Sequence, residues 1–491
     1  MSTMISADTY NPGLTAQALH LPRADSESKG YWSVIAMPVI TVGLLFSPAN
    51  TLLLYTFPLM AVWIAVYLYR RNRPLYVGLV CWLWFLTPLV RRILDYRAGW
   101  TQPTAILLAP PLATCVPLLW LIPDWRRVLE RRAAPLICVL VTCVYATFLG
   151  ILNLAPRFVF QDLLTWLAPL IFGFMLSRHR EQIVELFQAF EKAFIYGLLV
   201  ISVYGVIQFF FLPKWDAFWM GWVMMDSIGK PEPTEVRVFS TMNGPQILAS
   251  FLATGLIVAF NSRQRIRWVA IPAGLLCLVL SLARSGWVAM AAGTVYLLFS
   301  LSHRQRFRMV VAGILCALAM LVALQNPDLQ EVMSQRFDSF SDVKNDTSFM
   351  DRVDAYKGLI DGFMINPFGL GMGATPAIAE DKVTVHRGWN QDLGDSTIAM
   401  VITTMGAAGA LVLVCSLLLL ARRVFLDASV NAVYTNTVRA ILIGLIAEAA
   451  LDGVVSGPTG FLTWASVGFG LALGIPAEDA QPEIAAVELT A

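Results

Sequence analysis

Charge is what this sequence has least of. Only 14% of its 491 residues are Asp, Glu, Lys or Arg, against 57% hydrophobic. Soluble domains carry about 25% charged residues, so an ordinary soluble protein is excluded. Basic residues form no dense tract and the net charge is +2, so nothing points to nucleic acid. Histidine is scarce: His20, His179, His303 and His386 are scattered without H-x-x-x-H spacing. The seven cysteines (Cys81, Cys115, Cys138, Cys143, Cys277, Cys316, Cys415) all fall in apolar stretches and form no C-x-x-C pair. Neither a metal site nor a disulfide framework is therefore expected, and no motif calls for a cofactor. No solenoid-period repeat is evident, and no inverted duplication of the kind that marks many transporters.

What the chain has instead is apolar runs from end to end. Fourteen are long enough, or nearly so, to cross a bilayer, near 32–49, 51–69, 74–90, 103–122, 134–153, 163–177, 193–212, 244–260, 268–283, 287–302, 309–325, 396–420, 439–453 and 459–475. The expected fold is an all-α polytopic membrane bundle of about 12–14 spans. Residues 1–30 read as a disordered polar end, too long and too acidic for a cleaved leader, and 476–491 as an acidic solvated tail. The transmembrane domain occupies 31–475.

Arginines fall at every second connection: Arg70-Arg71-Asn72-Arg73, Arg126 to Arg132, Arg178 to Arg180, Arg263 to Arg267, Arg304 to Arg308, and Arg422-Arg423. The positive-inside rule makes these cytoplasmic and puts both termini inside. The pair Arg91-Arg92 breaks the alternation. On this topology the long connections at 213–243 and 326–395 are external, together with the turn at Arg284 and the segment after Asp452. Long polar loops on a membrane scaffold tend to bind or catalyse.

The candidate residues share that outer side. Arg284 sits in Ser281-Leu282-Ala283-Arg284-Ser285-Gly286-Trp287, between two apolar runs with almost no loop to hold it. Such an arginine requires a partner or an anion; the competing reading is a side chain snorkelling to headgroups beside an interfacial Trp287. Arg237, Arg336 and Arg352 lie in the external loops, and guanidinium groups suit phosphate esters because they bind bidentately and keep their charge. Pairing with Asp338, Asp351 and Asp354 is the plainer alternative. His386 and Asp395 precede the twelfth run, and either has the chemistry to take a proton from a hydroxyl. Loop solvation for His386 and helix N-capping for Asp395 stand beside that role. Glu448 and Asp452, four apart, share a helix face near its outer end, poised for an arginine partner or for a proton. Gly369-Leu370-Gly371-Met372-Gly373 lacks the strand-to-helix context of a phosphate loop and reads as a backbone turn.

Four stretches in order resemble the O-antigen ligase and polysaccharide polymerase superfamily of membrane glycosyltransferases. They are Arg237 to Pro245, Ala283 to Trp287, the Arg336…Ser348…Arg352 run closed by Asn366-Pro367-Phe368-Gly369-Leu370-Gly371, and Asp395-Ser396 before Met405-Gly406-Ala407-Ala408-Gly409. The resemblance implies inverting, metal-independent transfer from an undecaprenyl-diphosphate-linked glycan to a hydroxyl acceptor on the periplasmic face of a bacterial inner membrane. It gives Arg284 and Arg352 the diphosphate, and Asp395 or His386 the acceptor proton. Arg237, Arg336, Trp287, Glu448 and Asp452 would line the substrate. Ligases of this kind have a His-Asn pair where this chain has Asp395-Ser396, which tips the expectation toward a polymerase. A ligase is the nearest alternative and a flippase for the same lipid the more distant one. Expected partners are the lipid-linked glycan, membrane lipid and chain-length or export proteins.

Overall fold

The computed structural model describes residues 23–102, 104–121, 134–223, 228–300, 367–375 and 396–475, with isolated positions between 303 and 313. The described chain is helical almost throughout. It runs α1 (Arg23–Leu45), α2 (Leu53–Arg71), α3 (Arg73–Ala98), α4 (Ala109–Cys115), α5 (Leu118–Leu121), α6 (Ala134–Asn153), α7 (Pro156–Arg178), α8 (Ile183–Phe211) and α9 (Lys214–Val223). It continues with α10 (Pro245–Asn261), α11 (Arg267–Leu280), α12 (Arg284–Ser300), α13 (Thr397–Leu426), α14 (Ala432–Glu448) and α15 (Gly457–Leu473). A two-residue antiparallel clip pairs Ala428 with Ile475 and Ser429 with Gly474. Among the described residues, six helical stretches, Asn50–Arg71, Arg73–Ala98, Ala134–Asn153, Pro156–Arg178, Arg180–Phe211 and Thr397–Leu426, are long and apolar enough to cross a membrane. Large apolar side chains such as Leu59, Trp63, Val144, Phe148, Leu411 and Leu418 stay exposed on these helices. A bilayer, not water, is the solvent that suits such a surface.

Among the described residues, helices occupy the expected apolar runs, with two corrections. The first begins at Arg23, inside the stretch expected to be disordered. The run 309–325 lies outside the described residues. The run 103–122 is a 3₁₀ turn, α4 and the single-turn α5, because Pro110, Pro111 and Pro117 remove ladder donors. Carbonyls freed at Ala113 and Thr114 accept from the Tyr76 hydroxyl at 3.0 and 3.3 Å.

Small residues let the central helices approach closely. A Cβ on Gly173 of α7 would strike the Trp464 backbone of α15, and one on Gly444 of α14 the Ala289 backbone of α12. Described members of the arginine clusters gather at one end of the bundle. There Arg73 donates to Gln182 at 3.1 Å, Arg180 to Leu471 and Gly474 carbonyls at 2.9 and 3.1 Å, and Arg439 to the Val424 carbonyl at 2.8 Å. The candidate residues that the structure describes lie at the opposite end.

One helix is broken. Gly406 in α13 has φ 63°, ψ −168°, which interrupts the ladder. The segment 367–375 is threaded into the gap between α6, α7 and α13. Leu370 N donates to Thr403 O at 2.8 Å, Gly371 N to Thr404 O at 3.1 Å, and Ala407 N to Pro367 O at 2.8 Å. Gly371, at φ 97°, lies so close to Gly150 that any Cβ would collide with its backbone.

Candidate active site

α11 ends at Leu280 and α12 starts at Arg284, so the turn between them is three residues long. Closing it forces Leu282 to φ 52°, a left-handed conformation that costs a branched residue on the order of 1–3 kcal/mol. Such a turn persists only if its surroundings hold it, and several groups do. Ser281 Oγ donates to Leu278 O at 2.7 Å, and the Trp287 indole reaches back to the same carbonyl at 3.1 Å. Arg237 donates to Ser281 O at 3.4 Å and Leu282 O at 3.2 Å, and Val238 N to Leu280 O at 3.2 Å. Arg284 thus emerges half-buried as the first residue of α12. A cation gains nothing from the positive end of a helix dipole, so guanidinium and helix terminus together favour an anion.

The acids lie on the neighbouring helix. Gly286 at the start of α12 abuts Ala249 of α10, and Ser250 donates to Glu448 at 2.6 Å. Glu448 is fully buried, with Ser285 and Asp452 completing its surroundings. α14 stops at Glu448, so Asp452 lies in the turn beyond it and not on the helix face the spacing suggested. Its backbone N still donates to Glu448 O at 3.0 Å, and its carbonyl accepts from Thr397 Oγ1 at 2.7 Å. That contact seats the first residue of α13, two after Asp395, against the Glu448 end.

Arg237 with Arg284, and Glu448 with Asp452 and Ser285, are therefore brought to one end of the bundle. Arg237 and Trp287 brace the turn through their hydrogen bonds to its carbonyls and to that of Leu278. Arg336, Arg352, His386 and Asp395 lie outside the described residues. The glycine run is no anion cradle: the amides of Leu370 through Ala374 are all donated to protein acceptors, that of Gly373 to Asp162 at 2.7 Å. Among the described residues, no group of three His, Cys, Asp or Glu side chains stands close enough to hold a metal ion.

Sequence reasoning missed the buried pair at the end of α3. Arg92, fully buried, contacts Asp216 of α9 at 2.9 Å and donates to the carbonyls of Ser240 and Met242. Arg91 pairs with Asp95 at 3.1 Å and lies over Trp100. The signal that could have exposed both was the failure of these arginines to fit the charge alternation.

Residues 269–414 match the O-antigen ligase family model. The match supports the superfamily resemblance and, with the apolar helices, a multi-pass membrane protein of O-antigen ligase or polymerase type whose substrate is a lipid-linked glycan. A search of curated proteins found no match to the chain. The O-antigen ligase region holds Arg284, Arg336, Arg352, His386 and Asp395, whereas Arg92, Asp216, Arg237, Glu448 and Asp452 lie outside it.

Proposed function

We propose that the protein is an inverting, metal-independent polymerase of undecaprenyl-diphosphate-linked repeat units, working on the periplasmic face of a bacterial inner membrane with both termini cytoplasmic. The acceptor hydroxyl attacks the anomeric carbon, its bond to the diphosphate breaks, and the lipid diphosphate leaves. Arg284 and Arg352 neutralise the charge that grows on the leaving group; preorganised cations in a water-poor cleft supply several kcal/mol. His386 or Asp395 takes the acceptor proton. Arg237, Arg336, Trp287, Glu448 and Asp452 form the surrounding binding surface. Chain-length or export proteins act as partners of the product.

The observation that carries this reading is Arg284 at a helix start on a braced, left-handed turn. The family description favours a second reading, transfer of the finished glycan to a different acceptor. Purified protein in vesicles with lipid-linked repeat units, without metal or nucleotide, tests both. Growth of the lipid-linked chain supports the polymerase; transfer only onto an added second acceptor supports the ligase. Arg284→Ala abolishes either one, and an unchanged product ladder would overturn the assigned site.

A further inference from the structure

We infer that Arg92 and Asp216 are positioning residues for glycan transfer, holding the backbone segment that fixes the turn of Arg284. This rests on the proposed function for what the turn does, and on geometry for how it is held. Arg92 uses its guanidinium in three directions. Nε meets Asp216 Oδ1 at 2.9 Å in an ion contact, and Nη1 and Nη2 donate to the Met242 and Ser240 carbonyls. The Phe239 ring lies 4.8 Å from its carbon centre and Trp219 5.6 Å.

Asp216 is saturated from its other side. Its Oδ2 accepts from Tyr204 at 2.8 Å and from Gln208 at 2.8 Å. Gln208 Oε1 in turn accepts the amides of Phe239 and Ser240 at 3.0 and 2.7 Å. Ser240, held at φ 50°, donates its hydroxyl to Ile201 O at 2.5 Å. The segment 237–242 is thus gripped at its C-terminal half by this network. With its N-terminal half it grips the 280–282 turn through Arg237 and Val238. Displacement at Arg92 therefore reaches Arg284 through about five residues of backbone.

An apolar pair would serve stability as well or better, because desolvating two charges offsets their attraction. What the ion pair adds is direction. Lysine offers one ammonium and cannot span a carboxylate and two carbonyls at once.

The test combines kinetics of Arg92→Lys and Asp216→Asn in vesicles with labelling of a Leu282→Cys reporter by a membrane-impermeant maleimide. Misplacement of about 1 Å costs on the order of 10²-fold in rate. Turnover is therefore expected to fall at least about tenfold while donor KM changes less than about threefold. Reporter labelling rises several-fold, and the adjacent Arg91→Lys leaves turnover and labelling as in the parent. Turnover within twofold of the parent in both variants, or unchanged labelling, overturns the inference. So does a rate loss that merely tracks the fraction of aggregated protein. If Arg92→Lys does not fold, Asp216→Asn decides. If the parent transfers no glycan, the proposed function falls and the labelling arm alone judges the clamp.

Discussion

Arg70-Arg71 and Arg91-Arg92 are the same dipeptide near the ends of two consecutive helices, with opposite fates. The first pair is exposed at the arginine-rich end; Arg70 lies 5.7 Å over Trp120, and no carboxylate pairs with either residue among the described residues. The second pair is buried, each arginine with its own aspartate. Proximity to a span end does not separate a snorkelling arginine from an internal one. Acids within reach do: Asp95 one helical turn on, and Asp216 supplied from more than a hundred residues away.

The comparison can be broken most forcefully at Arg92. Arg92→Ala leaves Asp216 buried without its cation and should cost about 3–5 kcal/mol, read as a lowered thermal midpoint in detergent. The double variant Arg92→Met/Asp216→Leu should regain most of that stability without regaining turnover. Recovery of both would reduce the pair to a structural role. Gly371→Ala sets a Cβ against the Gly150 backbone at a positive φ, and should cost about 3 kcal/mol. Denaturant midpoints measure it. Ser250→Ala removes the hydroxyl that donates to Glu448, a loss of about 1–3 kcal/mol by the same assay. Arg70→Ala and Arg71→Ala sit at the bottom of the scale, within about 0.5 kcal/mol. A large loss there would mean the first pair is as internal as the second.

The fold was legible because apolar length and arginine spacing are one-dimensional signals. Where prolines cut the ladder, at Pro110, Pro111 and Pro117, length alone misled, since a run of apolar residues does not report whether its amides can be paired. Arg284 and Glu448 were legible because charge next to a span is costly and therefore conspicuous. Asp216 was not: in the sequence it falls in the 213–243 connection, where an aspartate looks ordinary until α9 buries it against Tyr204 and Gln208. Asp162 was hidden in the same way, its purpose apparent only once Gly373 donates to it. The glycine run is legible as a turn, but its partners in a helix some thirty residues later leave no mark on the local pattern.

The break at Gly406 has a last consequence. In discontinuous helices that conduct or couple ions, the severed poles stay open and their dipoles face the permeant species. Here both stumps are spliced: the carbonyls of Thr403 and Thr404 are already capped, and the amide of Ala407 is answered by Pro367. A cation arriving at this seam would find those oxygens taken, so the interruption serves as a joint in the scaffold and offers nothing to a travelling charge.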